Sequence, residues 1–140
     1  MFKSNLHVAR DMTTRHVWVV TKPLVWEDGR FYVTVPVGFE FDFASIPKFA
    51  QAWLPKAGML YDRASCLHDY LYVTELFSRK ECDKLFYKAM LSDGVPKSRA
   101  WIMYQAVRLG GRIPWRQHTL STINEARQLG GYPLLEKKNE

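Results

Sequence analysis

The spacing of apolar residues changes once along this chain, and that change restricts its fold more than any other feature. Phe31, Val33 and Val35 alternate with Arg30, Tyr32 and Thr34, and Phe39, Phe41 and Phe43 alternate with Glu40 and Asp42. A two-residue period puts one set of side chains on one face of a strand. Beyond Leu60 the spacing becomes three and four: Ala64, Leu67 and Leu71, then Cys82, Leu85, Phe86, Ala89 and Met90, then Ala100, Met103, Tyr104 and Val107. That is the pattern of helix faces turned toward a core. Strand pattern followed by helix pattern, with no βαβ alternation, predicts an α+β fold: an N-terminal antiparallel sheet of three to four strands packed against about three helices.

Punctuation residues set the boundaries. Residues 1–15 are polar and read as a lead-in or edge segment, and residues 16–26 as a strand pair or one bent strand interrupted at Pro23. Asp28-Gly29 is a hairpin signal, because both residues accept the positive φ of a tight turn. Ser45-Ile46-Pro47 opens a short helix over residues 49–54, which Pro55 and Gly58 end. A helix over residues 60–73 follows. The capping box Ser78-Arg79-Lys80-Glu81 starts the next, and Asp93-Gly94 closes it. A helix over residues 96–109 ends at Gly110-Gly111, a pair that reads as its cap or, with Arg108 and Arg112, as a phosphate loop. Residues 1–111 thus form a single α+β domain. Residues 112–140 read as a basic C-terminal extension, loop-rich with a short helix near residues 122–129.

Composition narrows the function classes. With 140 residues, 47% apolar and 24% charged, the chain has enough core for one folded domain without staples. The net charge of +6 sits late: from Val95 onward there are eight Lys/Arg against three Asp/Glu, while the earlier residues carry twelve against eleven. A solvated basic face explains this, with nucleic acid or an acidic partner as the alternative. Cys66 and Cys82 are too few for a disulfide framework and lack metal-site spacing, so they read as buried reduced thiols. No apolar run is long enough for a membrane span, and the first residues lack a signal-peptide core, so the expected location is the cytoplasm. Zinc-finger, P-loop, dinucleotide and RNA-recognition signatures are missing from the sequence.

The residues with chemistry to offer are Asp42, Ser45, His68, Asp69 and Asp83. His68 and Asp69 are polar neighbours inside an apolar helical pattern, and about 100° of helix rotation separates them. One can meet Asp42 at the sheet end while the other meets the helix carrying Asp83. Asp83 lies on the margin of an apolar face and needs a partner. Three readings follow. Asp42, His68 and Asp83 hold a divalent metal (Zn, Mn or Fe) that activates water. Alternatively an aspartate orients His68 as general base toward Ser45 or a water. In the third reading the same residues form a structural hydrogen-bond network, for which Tyr61, Tyr70 and Tyr72 supply hydroxyls. Trp115, beside Arg112, Arg116 and His118, reads as a surface that stacks a base or docks a partner; Trp53 and Trp101 read as core.

The stretch Val35-Pro-Val-Gly-Phe-Glu-Phe-Asp-Phe-Ala-Ser-Ile-Pro, then His68-Asp-Tyr-Leu-Tyr, then Ser78-Arg79 with Asp83 and Phe86, then Met103-Tyr-Gln-Ala-Val-Arg with Gly110, resembles a family of small phage and prophage proteins catalogued as domain of unknown function 1353. The resemblance spans about residues 17–111. It implies a phage or prophage origin, a host-cytoplasmic or virion location, and partners among phage structural proteins or host factors. It singles out Asp42, Ser45, Pro47, His68, Asp69, Tyr72 and Asp83, and implies no particular activity. The expectation is therefore a small phage hydrolase with a His-Asp site, or a virion component or host-factor-binding protein in which that site is structural.

Overall fold

The computed structural model describes residues 1–10, 17–42 and 59–139. The helix expected over residues 49–54, with Ser45, Pro47 and Trp53, lies outside them.

Among the described residues, five short strands come first: β1 (Val8–Arg10), β2 (Trp18–Val20), β3 (Leu24–Glu27), β4 (Tyr32–Val35) and β5 (Glu40–Phe41). They form two antiparallel sheets, a three-stranded one in the order β1-β2-β5 and a two-stranded one of β3 and β4. The α+β class holds, but the single sheet expected from the sequence is split. Pro23 separates β2 from β3, since proline offers no ladder N–H, and the two halves of the bent strand join different sheets. The polar lead-in supplies β1, an edge strand whose Val8 pairs with Val20.

Asp28-Gly29 makes the β3–β4 hairpin. Gly29 has a φ of +83°, and the Asp28 carboxylate accepts the Phe31 N–H at 2.9 Å. The register pairs Leu24 with Val35 and Trp26 with Val33, and all four side chains are buried. Period-2 patterning thus supplies one half of the core.

A 3₁₀ turn (Met59–Tyr61) leads into α1 (Asp62–Thr74), followed by α2 (Arg79–Ser92), α3 (Lys97–Gly110), α4 (Arg112–Gln117) and α5 (Leu120–Leu129). The α1 helix is central and packs against α2, α5, β3 and β5. Every residue from Ala64 to Tyr72 on it is buried. Leu67 and Leu71 are fully buried, each contributing roughly 1.5–3 kcal/mol. With so little solvent around α1, each polar side chain on it must find a protein partner.

The capping box forms as read: Ser78 Oγ accepts the Glu81 N–H at 3.2 Å, and the Ser78 N–H donates to Glu81 Oε2 at 3.1 Å. Both cysteines are buried free thiols, and burial raises their pKa values, which makes them poor nucleophiles.

Downstream of α3 the structure departs from the sequence reading. Gly111 is right-handed helical (φ −73°, ψ −11°), so the chain continues almost directly into α4, with Pro114 in its first turn. Residues 112–139, read as an extension, pack onto α1. Trp115 and Ile123 are buried, Thr119 caps α5, and Asn139 donates to the Glu75 carboxylate at 2.9 Å. Trp101, expected in the core, is 52% exposed, its ring near Tyr87 and Tyr104 on the outer surface of α3.

Candidate functional site

His68 and Asp69 diverge, as consecutive helical residues must, and each helps build a different feature. His68 turns toward α2 and enters a dry network. Its Nε2 lies 2.8 Å from Asp83 Oδ1, and both side chains have zero exposure. The Tyr72 hydroxyl, one turn along α1, donates to the same oxygen at 2.6 Å. Asp83 Oδ2 faces two guanidinium groups, Arg108 Nη1 at 2.7 Å and Arg79 Nη1 at 3.4 Å. Arg79 also donates to the Val107 and Arg108 carbonyls at 3.2 and 3.3 Å, so it caps the end of α3. The His68 ring packs against Tyr72 at 4.2 Å and Phe86 at 4.6 Å between centroids.

Electrostatics make Asp83 the centre of this network. Burial pushes its carboxyl pKa up. The hydrogen bonds from His68, Tyr72 and Arg108 outweigh burial and hold it below the ordinary carboxylate value. Tyr72 shifts upward, because burial and the adjacent Asp83 charge both disfavour phenolate. Asp83 is thus an ionised acceptor, and Tyr72 a neutral donor.

Gly111 is the close-approach point that this arrangement requires. A Cβ there would collide with the Tyr72 hydroxyl and the Val107 carbonyl oxygen. Gly111→Ala is expected to lower stability by about 1–3 kcal/mol through overpacking, seen as a lower urea midpoint; an unchanged midpoint would show that Tyr72 can move at no cost.

Asp69 turns the other way, into a cavity of about 390 Å³. Phe39, Phe41 and Asp42 at the β5 end form one wall, Asp69 and Val73 of α1 the floor, and Pro114, Gln117, His118 and Thr122 the far wall. Asp42 is exposed, while Phe39 and Phe41 on the opposite side of the strand are buried, as their alternation requires. The sequence therefore named two pocket residues, Asp42 and Asp69, and missed a third, His118. Burial lowers the His118 pKa to about 4, nearby Lys138 acts in the same direction, and Asp42 opposes them. Among the described residues its buried Nδ1 has no hydrogen-bond partner. A neutral imidazole with an uncommitted ring nitrogen on a pocket wall is a proton acceptor in waiting.

The depressed pKa has a measurable consequence. A histidine kept neutral by folding contributes fully above pH 6.5 and loses its contribution as pH falls toward 4. Between those limits the protein is expected to lose about 2 kcal/mol more than His118→Gln, allowing for partial solvation of the ring. Parallel denaturation curves for the two proteins across that window would refute it.

The metal triad expected from the sequence does not assemble. His68 and Asp83 are bound to each other on the α2 side of α1, while Asp42 stands at the cavity with Asp69. Glu40, Asp42 and Asp69 all line the cavity, yet among the described residues no three His, Cys, Asp or Glu side chains converge to hold a metal ion. Ser45, the candidate nucleophile, lies outside the described residues. Trp115 is 3% exposed and packs edge-to-face on Tyr72 at 5.2 Å between centroids, so its indole offers no open face for stacking a base. Arg112 and Arg116 remain at the surface.

No helix among the described residues is long and apolar enough to cross a membrane. No curated protein and no solved structure matches the chain. A family model does match, over residues 18–107, a span that contains β2 through most of α3 and all of the His68–Asp83 network except Arg108. On that match the chain belongs to the family described as protein of unknown function (DUF1353).

Proposed function

We propose that this chain is a small phage or prophage hydrolase whose general base is His68, oriented by Asp83, and whose substrate enters the cavity beside Asp69 and Asp42. The observation that carries the reading is the 2.8 Å bond between His68 Nε2 and Asp83 Oδ1, two fully buried side chains. An ionised carboxylate on one ring nitrogen fixes the tautomer and stabilises the imidazolium that forms when the other nitrogen takes a proton. In this chemistry a water admitted from the cavity gives a proton to Nδ1, its oxygen attacks an acyl or phosphoryl centre, and the leaving group departs with the proton returned; because His68 is fully buried, α1 must open at this point for the step to occur. Asp69, the next residue on α1, faces that cavity. The phage setting rests on the motif resemblance alone.

The test is hydrolysis of p-nitrophenyl acetate, p-nitrophenyl butyrate and bis-p-nitrophenyl phosphate. The wild-type protein is expected to turn over at least one of them, and His68→Gln to lose at least about 100-fold in kcat/KM. Asp69→Asn, which keeps the His68–Asp83 network, is expected to lose activity while remaining folded. Turnover that survives both substitutions, or wild-type protein inert toward all three probes, overturns the proposal.

The complete burial of His68 and Asp83 favours a second reading. In it the network only bolts α1 to α2 and α3, and the protein is a virion component or binds a host factor. Under that reading His68→Gln costs stability and there is no turnover to lose.

A further inference from the structure

A second opening, of about 350 Å³, lies on the other side of Asp83 from His68 and is lined by Arg79, Arg108, Arg112, Arg116, Leu109 and Trp115. We infer that this opening binds a phosphate group. Four guanidinium groups converge there from two directions. Arg79 comes from α2, while Arg108, Arg112 and Arg116 follow one another at four-residue steps along α3 and α4. Arg108 lies near the end of α3, Arg112 and Arg116 sit one turn apart on α4, which begins directly after the helical Gly111, and all three line the opening.

Charge at the opening is unbalanced. Asp83 is the one acid in contact with the cluster among the described residues, and it is already shared by His68, Arg79 and Arg108. Among the described residues, Arg112 and Arg116 have no acidic partner there. Like charges four residues apart on a helix repel, so the unliganded cluster is a cost that an anion would remove. Two of the groups are held in place, Arg108 by Asp83 and Arg79 by the α3 carbonyls. Trp115, wedged against Tyr72, forms a rigid floor. Planar guanidinium forks on a fixed frame suit the tetrahedral oxygens of phosphate, which they can bind in bidentate fashion.

The rim suggests two sources for that phosphate. Leu109 is 81% exposed and Ile113 67%, one helical turn apart beside the arginines. Exposed aliphatic residues next to arginines suit an anionic lipid headgroup; without them in play, a soluble phosphate or diphosphate fills the same pocket.

The experiment measures binding of full-length protein, at low salt, to inorganic pyrophosphate by calorimetry and to phosphatidylglycerol vesicles by co-sedimentation, with phosphatidylcholine vesicles as control. Binding to at least one probe is expected. The double variant Arg112→Glu/Arg116→Glu is expected to weaken it by at least about tenfold with an unchanged melting temperature, since both side chains are exposed. Vesicle binding that also falls in Leu109→Ser/Ile113→Ser identifies the headgroup as the source, and pyrophosphate binding that the serine pair leaves intact identifies a soluble phosphate. The inference is overturned if wild-type protein binds neither probe, or if Arg112→Lys/Arg116→Lys binds as tightly as wild type, because diffuse charge would then account for the affinity without a pocket.

Discussion

Asp83→Ala is expected to cost about 3–5 kcal/mol of folding stability, the range for removing one partner of a buried charge pair. The reason lies in what would be left behind. His68 Nε2 and the Tyr72 hydroxyl, both fully buried, would lose their common acceptor, and Arg108 would lose its 2.7 Å carboxylate contact. Urea denaturation of the variant at neutral pH measures the loss. Its pH dependence carries a separate sign. A carboxyl whose folded pKa lies below its ordinary value of 3.8 stabilises the fold above that value and stops doing so as pH falls through the folded value. The gap between wild type and variant is therefore expected to be full at pH 5 to 7 and to shrink only below pH 3.8. A gap that closed already between pH 6.5 and 4 would overturn this assignment, because His118 is present in both proteins and its titration cancels from the difference.

Arg127→Met is the second large effect, expected to cost at least about 3 kcal/mol, since hydrogen bonds from a charged donor contribute about 1.5–3 kcal/mol each, three are lost together, and water replaces part of what is lost at this partly solvated chain end. Arg127 is 8% exposed on α5. Its Nε donates to the Thr74 carbonyl at 2.6 Å and its Nη2 to the Glu75 carbonyl at 3.0 Å, so it caps α1, whose last carbonyls have no helical partner. Nη1 reaches the Pro133 carbonyl at 2.9 Å and fixes the C-terminal segment. Methionine keeps the apolar stem and removes the donors. Hydrogen exchange is expected to rise first at the C-terminal end of α1, and a variant as stable as wild type would show that water caps that end equally well.

The candidate site was partly readable from local spacing. Asp83 stood out as an acid on a helix face whose neighbours Phe86 and Met90 face inward, and its need for a partner followed. Arg79, four residues earlier on the same helix, was within the range of that argument. Arg108 was not, because 25 residues separate it from Asp83 and only the packing of α3 on α2 brings them together. His118 carried no local signal at all: it follows a segment that reads as loop, and the folding of α4 and α5 over Asp69 places it at the cavity.

Gly110-Gly111 shows the limit from the other side. A glycine pair after a helix commonly marks a stop, yet Gly111 is helical, and its missing side chain makes room for the Tyr72 hydroxyl. Sequence spacing cannot distinguish a glycine needed for backbone freedom from one needed for a neighbour's volume.

By itself, the sequence determined the α+β class, the Asp28-Gly29 hairpin, the Ser78 capping box and the divergence of His68 from Asp69. All of these follow from local stereochemistry or from the repeat of one strand or helix. The tertiary structure alone decided that the strands divide into two sheets, that residues 112–139 fold back onto α1, that Asp83 rather than Asp42 partners His68, and that four arginines converge on one opening. These are contacts between segments distant in the chain. They are set by how the helices pack, and no periodicity within a single segment records them.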